Sequence, residues 1–97
     1  MLAPHKKQQK TNRISNYMEE LAGGMLDELL AKERRRFSDE AKQDIKALAL
    51  NRLWPMYVTS DAGKDYAKKV VAEDKIESDV ERELRAAMDI VKAHPRQ

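Results

Sequence analysis

Apolar residues recur every three or four positions over most of this chain, and that spacing predicts helices rather than strands. Ile14, Met18, Leu21, Met25 and Leu29 form the first such row, with Glu19, Glu20, Asp27 and Glu28 mostly on other faces. A helix is therefore expected from about residue 14 to Arg34, Arg35 and Arg36, whose charge suits the negative end of a helix macrodipole. Gly23 and Gly24 fall in mid-span and should weaken it by about 1 kcal/mol each relative to Ala. They mark either a local break or a place where another helix packs close.

Ser38 followed by Asp39 and Glu40 reads as an N-cap with acids in the first turn of a second helix. Ala41, Ile45 and Leu48 form one apolar stripe there, while Ala47, Leu50 and Leu53 form another. Leu48 and Leu50 project from nearly opposite sides, so this helix should be covered twice, once by its own domain and once by another subunit. Arg52 is in phase with Ala41, Ile45 and Leu48, which sets it at the foot of the buried stripe. An arginine there either caps the last carbonyls, pairs with an acid or meets an anionic ligand. Asp44 and Asn51 share another face, and Asn51 also suits a turn.

Pro55 pushes Trp54 toward an extended conformation and should stop the second helix. The bend that follows, Trp54-Pro55-Met56-Tyr57-Val58, is too apolar for an ordinary exposed loop, so Trp54, Met56 and Val58 are expected to be buried. Thr59 and Ser60 then offer N-caps for a third helix, with Asp61 in its first turn partly occupying the place an anion would take. Helical spacing continues to His94 and is closed by Pro95. Tyr66 and Val70 make one apolar pair, and Ile76, Val80, Leu84, Ala87, Met88 and Val91 make a longer stripe. The step from 70 to 76 rotates by about 240° at 3.6 residues per turn, so the helix breaks near Glu73 and Asp74 or changes the neighbour it packs against. Glu81 with Arg85 reads as a solvated face. The fold class is thus all-α, a small domain of three to four helices.

Composition narrows the function classes. One domain is the ceiling for 97 residues, and a small helical core gains much from a partner subunit. The first fourteen positions carry four of the 19 basic residues and no acidic one, leaving 15 against 17 in the remainder. Residues 1–13 are therefore expected to be a basic, solvated leader, and 14–97 a mildly acidic folded domain. That balance argues against a duplex-binding surface, and nucleic-acid contact through the tail is not the favoured reading. With no cysteine there is neither a disulfide framework nor a thiolate zinc site, and with no apolar h-region or membrane-length run a cytoplasmic location is expected. His5 and His94 are isolated, no HExxH pattern or nucleophile triad is present, and Gly23-Gly24 lacks the context of a phosphate loop. No catalytic or metal site and no cofactor are expected, so the chain is read as a binding protein rather than an enzyme.

The run DIKALALNRLWPMYVTS, Asp44 to Ser60, with NYMEEL before it at Asn16 to Leu21, resembles the ComFB family of late competence development proteins. The similarity spans about residues 14 to 94, and its specific part is the LNRLxPxYxTS core with Asn51, Arg52, Pro55, Tyr57 and Ser60. The resemblance implies an all-α homodimer, and implies that some members are cytoplasmic receptors for cyclic dinucleotides, cyclic di-GMP and in some cases cyclic di-AMP. Cyanobacterial members usually show two prolines where this chain has Trp54-Pro55, a departure that alters the bend. Some competence-associated members carry cysteines suggestive of zinc, and none exists here.

A cyclic dinucleotide is a two-fold ligand with two phosphates, and an isologous dimer presents every side chain twice about its axis. On this reading Arg52, with Arg36 or Lys64, meets phosphate or a guanine edge, Trp54 or Tyr57 offers a ring face, and Asn51 and Ser60 add hydrogen bonds. The signal then passes to a downstream protein. The rival is a ligand-free helical adaptor that docks onto competence, DNA-uptake or motility machinery.

Overall fold

The computed structural model describes residues 13–94. Its elements follow in the order β1 (Ser15–Asn16), α1 (Tyr17–Glu33), α2 (Asp39–Leu50), β2 (Tyr57–Val58), α3 (Asp61–Glu73) and α4 (Ile76–Ala93). The domain is all-α in class, as expected, with one addition: Ser15 and Asn16 pair antiparallel with Val58 and Tyr57. The expected leader lies outside the described residues except for Arg13. No described helix is long and apolar enough to cross a membrane.

Three helices build the main core. Met18, Ala22, Leu26 and Leu29 of α1 and Ile45 and Ala49 of α2 meet Val80, Leu84, Ala87 and Met88 of α4, all buried. Alanines at 22, 49 and 87 leave no side chain beyond Cβ, which allows the backbones to approach closely, and the larger Leu, Ile and Met side chains fill the space between them. The α4 stripe is the one its spacing predicts. In α1 the buried face is rotated from the expected row: Ile14 precedes the helix and is exposed, Leu21 and Met25 are only half-buried, and Ala22, Leu26 and Leu30 take the centre. Two adjoining rows of α1 are apolar, and the small Ala22 decides between them by allowing the closer contact.

Ile45 and Ala49, one turn apart, form the centre line of α2, with Leu48 and Leu50 half-buried on either side against the same core. Both apolar flanks therefore already touch the chain's own interior, where the sequence suggested that one would need another subunit. Gly23 does not break α1. A Cβ there would lie 3.5 Å from the Lys46 ammonium, so Gly23 marks a close approach by a side chain, while Gly24 faces open space.

Helix ends follow the local chemistry. Arg34 adopts a left-handed conformation (φ 56°) and closes α1, its N–H donating to the Leu30 carbonyl. Ser38 Oγ accepts from the Ala41 N–H and Ser60 Oγ from the Gly63 N–H, each at 3.1 Å. The break expected near Glu73 and Asp74 is present, with Lys75 left-handed (φ 55°) between α3 and α4. Arg85 of α4 does more than decorate a solvated face, since it pairs both with Glu81 at 2.9 Å and with Glu33 near the end of α1.

A smaller cluster lies under the bend. Tyr17, Ala67 and Val71 are buried together, with Met56 and Val58 packed against them. The expected pair Tyr66 and Val70 is displaced by one residue: Ala67 and Val71 turn inward and Tyr66 faces out. Two small side chains let α3 lie close to Tyr17, whereas a tyrosine ring at that contact would hold the elements apart.

Candidate functional site

The connection between α2 and α3 is held by a residue forty positions away. Asn16 ends β1 in an extended conformation and caps α1, its Oδ1 accepting from the Met18 N–H at 3.1 Å. The same oxygen accepts from the Met56 N–H at 2.7 Å, and the Tyr17 N–H donates to the Met56 carbonyl at 2.7 Å. Pro55 has no N–H, so Met56 is the first donor after the proline, and Asn16 satisfies it in a part-buried place where an unpaired donor would be costly. One amide side chain thus starts α1 and fixes the bend. Neither role of Asn16 follows from the spacing of apolar residues, and the partner forty positions away has no local signal in the sequence.

Within the bend, α2 ends at Leu50, five residues before Pro55. The Arg52 N–H bonds the Ala49 carbonyl and the Leu53 N–H the Leu50 carbonyl, the i to i−3 spacing of a tightened last turn. This change of pitch takes Arg52 off the buried stripe, and the expectation that it sits at the foot of the core is corrected: Arg52 is exposed, and its guanidinium makes no ion pair or side-chain hydrogen bond among the described residues. Leu53 and Met56 turn inward in its place.

Trp54 is the second correction. It is 88% exposed rather than buried. Leu53 and Met56 already pack against the core on either side of Trp54-Pro55, so the indole is left on the outside. Burying such a ring typically gains about 1.5–3 kcal/mol, so this surface forgoes that amount in the isolated chain.

The remaining sequence-predicted residues are dispersed. Tyr57 lies on β2 with its ring mostly exposed, in the wall of a groove of about 640 Å³ that also includes Ile14, Pro55, Tyr66 and Val70. Ser60 is committed to its cap. Lys64 pairs with Glu20 of α1 at 3.2 Å, close to Tyr17, where burial and then Glu20 push the phenol above its ordinary value. Asn51 lines a different hollow with Asp44, Leu48, Ile90 and His94. Arg36 sits before α2, at the opposite end of that twelve-residue helix from the bend, beside Phe37 and Lys42. The structure therefore keeps Arg52, Trp54 and Tyr57 on one short connection and separates Arg36 from them by roughly 18 Å of helix. Tyr66 and Ile14, which belong to the apolar rows read from the sequence, join Tyr57 at the surface.

Arg52 supplies a cation with no ion-pair partner among the described residues, Trp54 an open ring face, and Tyr57 a second ring, on a segment whose backbone is fixed by Asn16. Such a set can hold an anionic, planar ligand, because a guanidinium forks onto phosphate and an indole accepts a stacked base. No curated protein matches the chain. The family model described as late competence development protein ComFB matches residues 15–95, a span containing every element of the fold, and the chain therefore belongs to the ComFB family.

Proposed function

We propose that this ComFB protein is a cytoplasmic, non-enzymatic receptor for a cyclic dinucleotide, cyclic di-GMP or alternatively cyclic di-AMP, which acts as a homodimer and passes the signal to a protein partner. The observation that carries the reading is the proximity in sequence of Arg52, unpartnered among the described residues, and an 88% exposed Trp54 on a connection pinned by Asn16. A base stacked on an aromatic ring contributes about 1–3 kcal/mol, which would recover what the exposed indole forgoes. Arg52 would meet a phosphate oxygen or a guanine edge, Trp54 the base, and Tyr57 the flank of the sugar or the second base. Asn51, Ser60, Lys64 and Arg36 have other local surroundings and take supporting roles at most. Occupancy would favour one arrangement of the subunits, and the partner would read that shift.

Calorimetric titration with each cyclic dinucleotide, on the wild type and on Arg52→Ala, tests this. Micromolar or tighter binding that weakens at least tenfold in the variant is expected, because a charge-assisted bond to phosphate exceeds 1.4 kcal/mol. Absence of binding to both ligands sinks the receptor reading. It would favour the adaptor reading, for which the exposed Ile90 beside Leu48 on the α2 and α4 surface provides a docking face.

A further inference from the structure

Among the described residues, the main core takes no side chain from α3. Its buried members come from α1, α2 and α4, and the partly buried residues packed against it lie on those helices or on the connections. The thirteen-residue α3 buries only Ala67 and Val71. Both belong to the small cluster with Tyr17, against which Leu21, Met56, Val58 and Ile76 pack. One ion pair among the described residues joins α3 to another element, Lys64 with Glu20 at 3.2 Å, and with 34% and 60% of the two side chains exposed it adds little.

The far end of the helix is held no more firmly. Lys75, between α3 and α4, is left-handed (φ 55°), a conformation that crowds its Cβ against the following carbonyl, and α4 starts there without a side-chain cap. A turn of this kind persists only while its surroundings hold it. A free helix of thirteen residues with a glycine in its first turn is marginal in water, so α3 loses its own hydrogen bonds when it leaves the cluster.

We infer that α3 undocks as a unit while the three-helix core stays folded, and that a ligand on the bend holds it shut. The second part rests on the receptor reading above; the first does not. Tyr57 lies between Met56 and Val58, whose side chains pack against the cluster that α3 completes, and a Cβ on Gly63 of α3 would come within 3.6 Å of Val58. Departure of α3 uncovers the side chains on either side of Tyr57, while Asn16 keeps its bond to the Met56 N–H. The bend is then clamped at one end only, and the Tyr57 ring no longer keeps its place. A ligand that touches Tyr57 therefore binds the closed state more tightly, and shifts the opening equilibrium by that difference in affinity.

Amide hydrogen exchange of the full chain, resolved by NMR under conditions where it follows the opening equilibrium, is the test. Amides of α3 should exchange at least a hundredfold faster than those around Leu26 in α1 and Leu84 in α4, with a shallower urea dependence because less surface opens. Ile45→Val separates the two events. Ile45 packs in the core that survives opening, so core exchange should rise about two- to tenfold while α3 exchange stays unchanged. Equal acceleration of both sets, or one rate and one urea dependence throughout, overturns independent opening. Val71→Ala should speed α3 and the core by the same factor, since it weakens a contact that only the closed state makes, and unchanged α3 rates in that variant also overturn the inference. Cyclic di-GMP or cyclic di-AMP at about 100 times its Kd should slow both sets by about a hundredfold. Slowing confined to the core overturns the coupling and leaves the receptor reading intact. Binding of neither ligand removes the receptor reading and the coupling with it, while the unliganded rates still decide whether α3 opens alone.

Discussion

Replacing Asn16 by Ala should cost far more than its place near the start of the fold suggests. Two donors depend on its Oδ1: the Met18 N–H in the first turn of α1 at 3.1 Å and the Met56 N–H in the bend at 2.7 Å. Loss of an N-cap typically costs about 1 kcal/mol. Leaving a part-buried amide without an acceptor adds about 1–3 kcal/mol, less where water can enter. The sum of about 2–4 kcal/mol is a large share of the roughly 5–15 kcal/mol that stabilises a domain. Urea unfolding followed by helical circular dichroism measures it. With a slope of about 1–3 kcal/mol per molar, an intermediate loss of about 3 kcal/mol moves the midpoint down by about 1–3 M. Asn16→Asp retains an acceptor and adds a charge suited to the helix N-terminus, so it should stay within about 1 kcal/mol of the wild type. A loss below about 0.5 kcal/mol for Asn16→Ala, or equal losses for the two variants, would refute the claim that this oxygen clamps the bend.

Two further outcomes follow from the geometry. Gly24→Ala should stabilise the fold by about 0.5–1 kcal/mol, read as a rise in unfolding midpoint, because the glycine is helical and a Cβ there meets open space. Stability should fall above about pH 10 through Tyr17: burial raises its phenol in the folded chain above the ordinary 10.0, so the unfolded state gives up the proton first as pH climbs. The unfolding free energy of the wild type minus that of Tyr17→Phe should therefore be flat below that pH and fall above it, levelling off once the folded phenol also ionises. A flat difference up to pH 12 would refute this assignment.

Much of the frame was legible because it depends on local chemistry. Ser38 and Ser60 are caps because a hydroxyl before a helical run has a free N–H to accept, and both bonds are present. The break between Glu73 and Ile76 follows from a rotation of the apolar stripe that one straight helix cannot absorb. The α4 stripe stands out because its other faces are polar. In α1 and α3, by contrast, neighbouring rows are both apolar or amphipathic, and packing chose Ala22, Ala67 and Val71 by size, which period alone does not encode. Strands of two residues have no period to detect, so the β bridge and the second bond of Asn16 were hidden.

For the candidate residues on the bend, burial was the part that the sequence misread. Arg52, Trp54 and Tyr57 share the short connection between α2 and α3, but phase placed Arg52 in the core by assuming that α2 keeps its pitch beyond Leu50. Composition placed Trp54 inside by assuming that an apolar bend is a plug. Both assumptions fail at the same tightened turn, where Leu53 and Met56 occupy the interior and the polar and aromatic groups between and beside them face outward.

Trp54 is the chain's single tryptophan, so its emission reports on the bend alone. Titrating the protein with cyclic di-GMP and cyclic di-AMP while following that emission, with GMP and AMP as inner-filter controls, tests the central claim most directly. Saturable quenching by at least one cyclic dinucleotide, weakened tenfold or more in Arg52→Ala, is the predicted result. Emission that changes no more with the cyclic dinucleotides than with the mononucleotides, at concentrations up to millimolar, would contradict the account.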